Sequence, residues 1–286
     1  MFERISNGWE LTKQSFRVLS MDKKLLVFPF LSGIACSLVL ASFALPLWMS
    51  GYIESVLGEE HPQLDAFGYA VLFAFYAVNY FVIVFFNSAL VACAVVRFNG
   101  EEPTLSIGLN AAMQRLPQIL GWALVAASVG VLMRIIESRS EKVGRLVAGL
   151  LGMAWTIVTF FVVPVIVVEK AGPIEAMRRS TAILKKTWGE SLTAHVGTGV
   201  IFSLFHIPAL VLIGAGVFVA AVNLPLGILI GSAGVVMLLI IALISTATNT
   251  IILSALYLYA VTGRVPEAFN AERLRGAFTP KYATES

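Results

Sequence analysis

Long stretches without a single charged side chain alternate along this chain with short stretches in which charges crowd together. Residues 25–52, 66–96, 116–132, 146–168 and 191–263 contain no Asp, Glu, Lys or Arg. A helix crossing the roughly 30 Å hydrocarbon layer needs about 17–25 apolar residues, and every run reaches that length. The last run, 73 residues long, is too long for one crossing. It divides naturally at Asn223-Leu224-Pro225-Leu226-Gly227, a turn-forming cluster. The pattern therefore predicts an all-α polytopic membrane protein with six transmembrane helices.

Three charged segments read as short amphipathic helices lying at the cytosolic interface. In the first, Phe2, Ile5, Trp9, Phe16 and Leu19 form one stripe, with Arg4, Lys13 and Arg17 off it. In the second, Leu105, Leu109, Ala112, Met113 and Leu116 recur at helical spacing behind Pro103-Thr104, and Pro117 closes the segment. The third starts at Pro173 and sets Ile174, Met177, Leu184 and Trp188 against Arg178, Arg179, Lys185 and Lys186, with Glu175 and Arg179 spaced for an i,i+4 pair. The chain thus reads as one transmembrane helical domain, 1–264, made of three units (1–97, 103–168 and 173–263), followed by a cytosolic tail, 265–286. Each unit is an interfacial helix followed by a transmembrane hairpin. Two origins fit that plan: ordinary basic juxtamembrane segments lying against anionic headgroups, or a divergent triplication.

Composition agrees, since 58% of residues are hydrophobic and 13% charged, against about a quarter charged in soluble domains. That excludes a water-soluble fold. The 24 residues before the first apolar run, and the length of that run, argue that Ser42-Phe43-Ala44 is no signal cleavage site and that the first helix stays in the mature protein. Of the 20 Lys and Arg residues, all but Arg134, Arg139, Lys142 and Arg145 fall on one side of the six-helix topology. The loop of Glu54, Glu59, Glu60 and Asp65 falls on the other. By the positive-inside rule both termini are cytosolic.

Chemistry is sparse. The spans hold no Asp, Glu or Lys, and His195 and His206 are about 16 Å apart along one helix, too far to share a metal. Cys36 and Cys93 are isolated within spans and read as packing residues. No nucleophile elbow, zinc-protease helix, Walker or dinucleotide motif occurs. The expectation is a protein that is not an enzyme and uses no cofactor or metal, with membrane lipids, a second copy of itself or unidentified proteins as partners and no nucleic acid.

What remains is neutral polarity at membrane depth. Thr246, Asn249 and Thr250 share a face of the last span, Asn79 and Asn87 lie two turns apart on the second, and His206 sits beside Pro208 on the fifth. Such groups must find partners. They serve either as interhelical hydrogen bonds or as a solute path, and His206 is expected to face inward toward Asn249 or Thr246. Pro29, Pro164 and Pro208 are expected to interrupt their spans. Gly227, Gly231 and Gly234 make a smooth face for either internal packing or self-association.

The opening Asn7-Gly-Trp9-Glu-Leu-Thr-Lys13-Gln-Ser15-Phe-Arg-Val-Leu19, with Asp22-Lys-Lys-Leu-Leu-Val-Phe-Pro29 after it, resembles an uncharacterised family of prokaryotic polytopic membrane proteins known only as a domain of unknown function. The stretch Val167-Val-Glu169-Lys-Ala-Gly-Pro173-Ile-Glu-Ala176-Met-Arg-Arg-Ser180, continuing through Leu184-Lys-Lys-Thr-Trp188, resembles a cytosolic helix found in the membrane region of some glycerophosphodiester phosphodiesterases and in other six-helix inner-membrane proteins. These resemblances imply a prokaryotic plasma-membrane protein and supply no catalytic residue. Two functions are compatible with the sequence. One is a channel or permease with a neutral polar path through Asn79, Asn87, His206, Thr246 and Asn249. The other is a non-transporting scaffold or assembly protein that binds lipid or partners through Arg178, Arg179, Lys185 and Lys186.

Overall fold

The computed structural model describes residues 2–58, 64–139, 143–188 and 195–276. Glu59, Glu60, Lys142 and the tail beyond 276 lie outside the described residues, as do the side chains of Phe2, Arg4, Ile5, Arg139, Arg145, Trp188 and His195. The described residues are 87% helix and include no strand. In order, the helices are α1 (Phe2–Met21), α2 (Val27–Met49) behind a single 3-10 turn at Lys23–Leu26, α3 (Tyr52–Leu57), α4 (Ala66–Phe98), α5 (Leu105–Met113), α6 (Leu116–Arg139), α7 (Val143–Thr159), α8 (Val162–Glu169), α9 (Pro173–Trp188), α10 (His195–Ala220), α11 (Leu224–Thr262) and α12 (Ala271–Gly276).

Among the described residues, five helical stretches are long and apolar enough to cross a membrane: Lys23–Met49, Ala66–Phe98, Leu116–Ser138, Val147–Glu169 and Leu224–Thr262. The additional expected crossing, α10, contributes the shorter apolar stretch Phe205–Ala220. The 73-residue run divides where its turn cluster predicts. Asn223 caps α11, its side-chain oxygen accepting from the Leu226 amide at 3.2 Å, and Pro225 falls in the first turn where its missing donor is harmless.

The three prolines behave differently. Pro29 is the third residue of α2 and lies in the first turn, so it interrupts nothing. Pro208 lies within the unbroken α10. Only Pro164 coincides with a break, between α7 and α8 at Phe160 and Phe161, because its ring displaces the carbonyl four residues earlier, that of Phe160. The Phe161 amide donates instead to Ser180 Oγ on α9, at 3.0 Å in a buried setting.

Two compact units share the chain. The first comprises Met1–Pro29, Ala94–Glu102 and Lys185–Ser286; the second comprises Phe30–Cys93 and Pro103–Leu184. They cut across the three sequence units.

In the second unit, α6 and α7 pack together, with Trp122 and Trp155 stacked at 5.5 Å. The small side chains of Ala123, Ala126 and Ala127 are buried on α6. On α9 the buried face is Ala176, Ser180, Ile183 and Leu184, while Ile174 points outward. Of the expected stripe, Leu184 alone is buried among the described side chains; Met177 is intermediate. Asp65 caps α4 by accepting from the Gly68 amide at 2.8 Å and also takes the Tyr52 hydroxyl. The Tyr52 bond is the larger cause holding its carboxyl below the ordinary aspartate range. Lys170 ends α8 in the left-handed region at φ 62°, which costs a side-chain-bearing residue roughly 1–2 kcal/mol. Lys170→Gly should therefore raise stability toward thermal unfolding by about 1 kcal/mol, measured in detergent. A fall in melting temperature would show that the lysine stem contributes more than its backbone strain costs.

The first unit is built on the α10/α11 hairpin. A Cβ on Gly216 would run into the backbone of Gly231, one on Gly227 would meet Ala220, and one on Gly234 would sit 2.8 Å from the Ile213 amide nitrogen. The glycine face is therefore consumed by internal packing. From Leu224 to Ile240, α11 turns large apolar side chains outward, a belt about 25 Å long that matches a hydrocarbon layer. Beyond it the same helix is buried at Ala247, Thr248, Ile251, Ala255 and Tyr257. The helix α1 packs on this hairpin through Gly8, Leu11, Thr12, Ser15, Val18 and Leu19, all buried at i, i+3 and i+4 spacing. The start of the expected tail also joins this unit: Phe269 meets Phe98 edge to face at 5.8 Å, and Leu274 is fully buried.

Candidate functional site

The residues expected to line a polar path are divided between the two units. Asn79 and Asn87 belong to α4 in the second unit, whereas His206, Thr246 and Asn249 belong to the first. Asn79 gives its amide to the Phe75 carbonyl at 3.0 Å within its own helix, and Asn249 gives its amide to Ser245 Oγ at 3.4 Å. Thr246 is exposed and Asn249 and His206 are half-buried. Carried down the hairpin, the register set by the glycines puts His206 level with Ile241. Thr246 and Asn249 then lie about 7 and 12 Å further along α11. The cluster Ser245–Thr250 starts where the outward apolar belt ends.

The basic helix α9 leaves Arg178, Arg179, Lys185 and Lys186 exposed. Arg179 Nε donates to both Glu169 carboxylate oxygens, at 3.0 and 2.9 Å. That contact, across the turn from α8, replaces the expected partner Glu175.

A more developed site lies along α1. The exposed rings of Trp9 and Phe16 do not enter the core. Together with Phe205, Ile241, Ile244 and Thr248 they line an apolar groove of ≈ 390 Å³. Trp9 lies parallel to Phe205, with ring centroids 6.4 Å apart, and Lys13 Nζ stands 5.5 Å from the Trp9 ring centre. Lys13 also belongs to a second, polar cleft of ≈ 500 Å³ lined by Glu10, Gln14, Arg17 and the segment Glu267, Ala268, Phe269 and Asn270. The Asn270 amide donates to Gln14 Oε1 at 3.2 Å, tying that segment to α1. Lys13 pairs with Glu10 at 3.2 Å in an exposed setting, an arrangement worth about 0–1 kcal/mol and readily exchanged for a ligand.

Along α11 the groove is graded in polarity. Ile241 and Ile244 follow the apolar belt, Thr248 comes next, and the polar cleft is completed by residues beyond the helix end. Thr248 is fully buried, yet its hydroxyl has no hydrogen bond among the described residues. Thr12, Thr250 and Ser254 instead each donate to the carbonyl four residues earlier, at 2.7–2.9 Å, while Ser15 Oγ, buried on α1, likewise has no hydrogen bond among the described residues.

Residues 66–267 match the profile of a family of unknown function, DUF6159. The chain belongs to that family. The match takes in α4 to α11 and ends at Glu267; the opening stretch from Asn7 to Pro29 precedes it. No curated protein and no solved structure matches the chain.

Sequence reasoning singled out Trp9, Lys13, Phe16 and Arg17 as parts of an amphipathic helix. It missed Thr248 as a groove residue and the folding of 266–270 onto α1. The available signal was the set of large apolar side chains scattered through the expected tail, Phe269 and Leu274 among them.

Proposed function

We propose that this protein is a non-enzymatic membrane scaffold that holds a lipid of its own bilayer against α1. The single observation that carries this reading is the apolar groove that joins a charged cleft at Lys13. Such a site fits an amphiphile, whose chains and headgroup need adjoining apolar and polar surfaces. Solute conduction is supported less well, because the amides of Asn79 and Asn249 are engaged within their own helices. The exposed cations of α9 add a basic surface suited to anionic headgroups, at about 1 kcal/mol per cation near such a surface. With sixteen of the basic residues on that side by the six-helix topology, we place both termini in the cytosol of a prokaryotic cell.

The protein should copurify with tightly held phospholipid, detected by native mass spectrometry from mild detergent. Phe16→Asp, which puts a charge on the groove wall at an already exposed position, should reduce that lipid by tenfold or more, since each buried methylene contributes about 0.8 kcal/mol. Liposomes carrying the protein should pass small solutes no faster than empty ones. Solute flux combined with lipid retention indifferent to Phe16→Asp would reverse the assignment in favour of a channel.

A further inference from the structure

The charges around the cleft permit the headgroup to be specified, on the footing that the groove is a lipid site. A purely anionic headgroup calls for an excess of cations. Here Lys13, Arg17 and Glu10 of α1 and Glu267 of the returning segment line one cleft, two positive groups and two negative, with Lys13 and Glu10 already paired along the helix. Arg17 and Glu267 have no ion-pair partner among the described residues, and both are exposed to the cleft. A ligand matching both signs carries a phosphate and an ammonium a few ångströms apart. Arg17 suits the phosphate through its fork of donors. A carboxylate suits a primary ammonium, which offers three N–H donors.

Thr248 supplies an independent observation. It is a buried hydroxyl without a partner among the described residues, as is Ser15 on α1, but of the two Thr248 alone lines the groove; the buried hydroxyls of Thr12, Thr250 and Ser254 back-bond to their own helices. An unmade hydrogen bond at such a site disfavours the empty groove. Thr248 lies two turns beyond Ile241, on the side away from the apolar belt, which is the depth at which a glycerophospholipid carries its ester carbonyls between chains and phosphate. We propose that the α1 groove selects a phospholipid with a primary-amine headgroup. Its phosphate lies between Lys13 and Arg17, its ammonium meets Glu267 and Glu10, Thr248 Oγ1 donates to an ester carbonyl, and one chain follows Ile244 and Ile241 toward the belt.

The test uses the full chain in mild detergent, offered equimolar phosphatidylethanolamine, phosphatidylcholine and phosphatidylglycerol with identical chains, with bound lipid read by native mass spectrometry. Phosphatidylethanolamine should exceed phosphatidylglycerol by about tenfold, the scale of one charge-assisted hydrogen bond. Phosphatidylcholine, whose ammonium has no N–H, should fall between. Glu267→Gln, at an exposed position, should bring the ethanolamine-to-glycerol ratio close to one by weakening phosphatidylethanolamine while phosphatidylglycerol binding stays at its original level. Arg17→Gln should weaken all three alike. Thr248→Val should weaken diacyl lipid but not the dialkyl ether analogue, which has no carbonyl. Equal or stronger binding of phosphatidylglycerol by the unaltered protein, or a ratio indifferent to Glu267→Gln, would overturn the headgroup assignment while leaving the lipid site in place. Lipid retention no greater than that of Phe16→Asp would overturn the site as well.

Discussion

Leucine in place of Gly216 should separate α10 from α11 and lower the unfolding temperature of the first unit more than any other single change in it. The side chain would begin against the Gly231 backbone and 2.9 Å from the Gly227 carbonyl oxygen. Backbone cannot turn aside as a flexible side-chain tip can. Overpacking of this kind costs typically about 1–3 kcal/mol and occasionally more, and here the whole hairpin must shift. Gly214 provides the internal control. It sits on the same helix two residues away, is exposed, and nothing lies within 4 Å of where its Cβ would be. Gly214→Ala should therefore be neutral or stabilising by up to about 1 kcal/mol, the ordinary helix-propensity difference. Thermal unfolding in detergent, followed by circular dichroism, measures both. Equal melting temperatures for the two variants would mean that the glycines are not the contact surface of the hairpin.

The glycine pair also illustrates what was readable in the chain. Charge-free runs and the Asn223 cluster are local signals, and the helix limits follow them closely. Gly227, Gly231 and Gly234 announce a close contact by their spacing alone. Their partner surface does not announce itself, because Gly216 and Ala220 belong to another helix and the register is set only when the two meet.

The faces of α1 and α9 were harder to read for a physical reason. In water, large apolar side chains mark the inside; beside lipid they lose nothing by facing out, and smallness marks the contact instead. Thus Trp9, Phe16 and Ile174 face outward, while Gly8, Ser15, Ala176 and Ser180 are buried. The intramembrane polar residues were visible in the sequence, but the groove was not. It depends on the exposure of two aromatic rings on α1 and on levels of α10 and α11 some 190 and 230 residues later, and the polar cleft beside it on a tail segment that folds back.

The hydroxyl of Ser180 carries the clearest prediction for the second unit. Pro164 prevents α7 and α8 from forming one continuous helix, and the Phe161 amide at the resulting break is buried. Ser180 Oγ accepts from it across nineteen residues of sequence, so one bond both satisfies the break and joins it to α9. Ser180→Ala leaves that oxygen out at a site with no room for bulk water. The expected loss is about 1–3 kcal/mol of unfolding free energy, the cost of an unmet buried polar group. Hydrogen exchange at the Phe161 amide should quicken accordingly. Replacing Pro164 by alanine lets the helix run on, so that the Phe161 amide can reach the Ile157 carbonyl four residues earlier in the usual way. In that background Ser180→Ala should cost distinctly less than it does beside the proline. An undiminished penalty would place the worth of Ser180 in its packing against α8 rather than in the hydrogen bond that bridges the break.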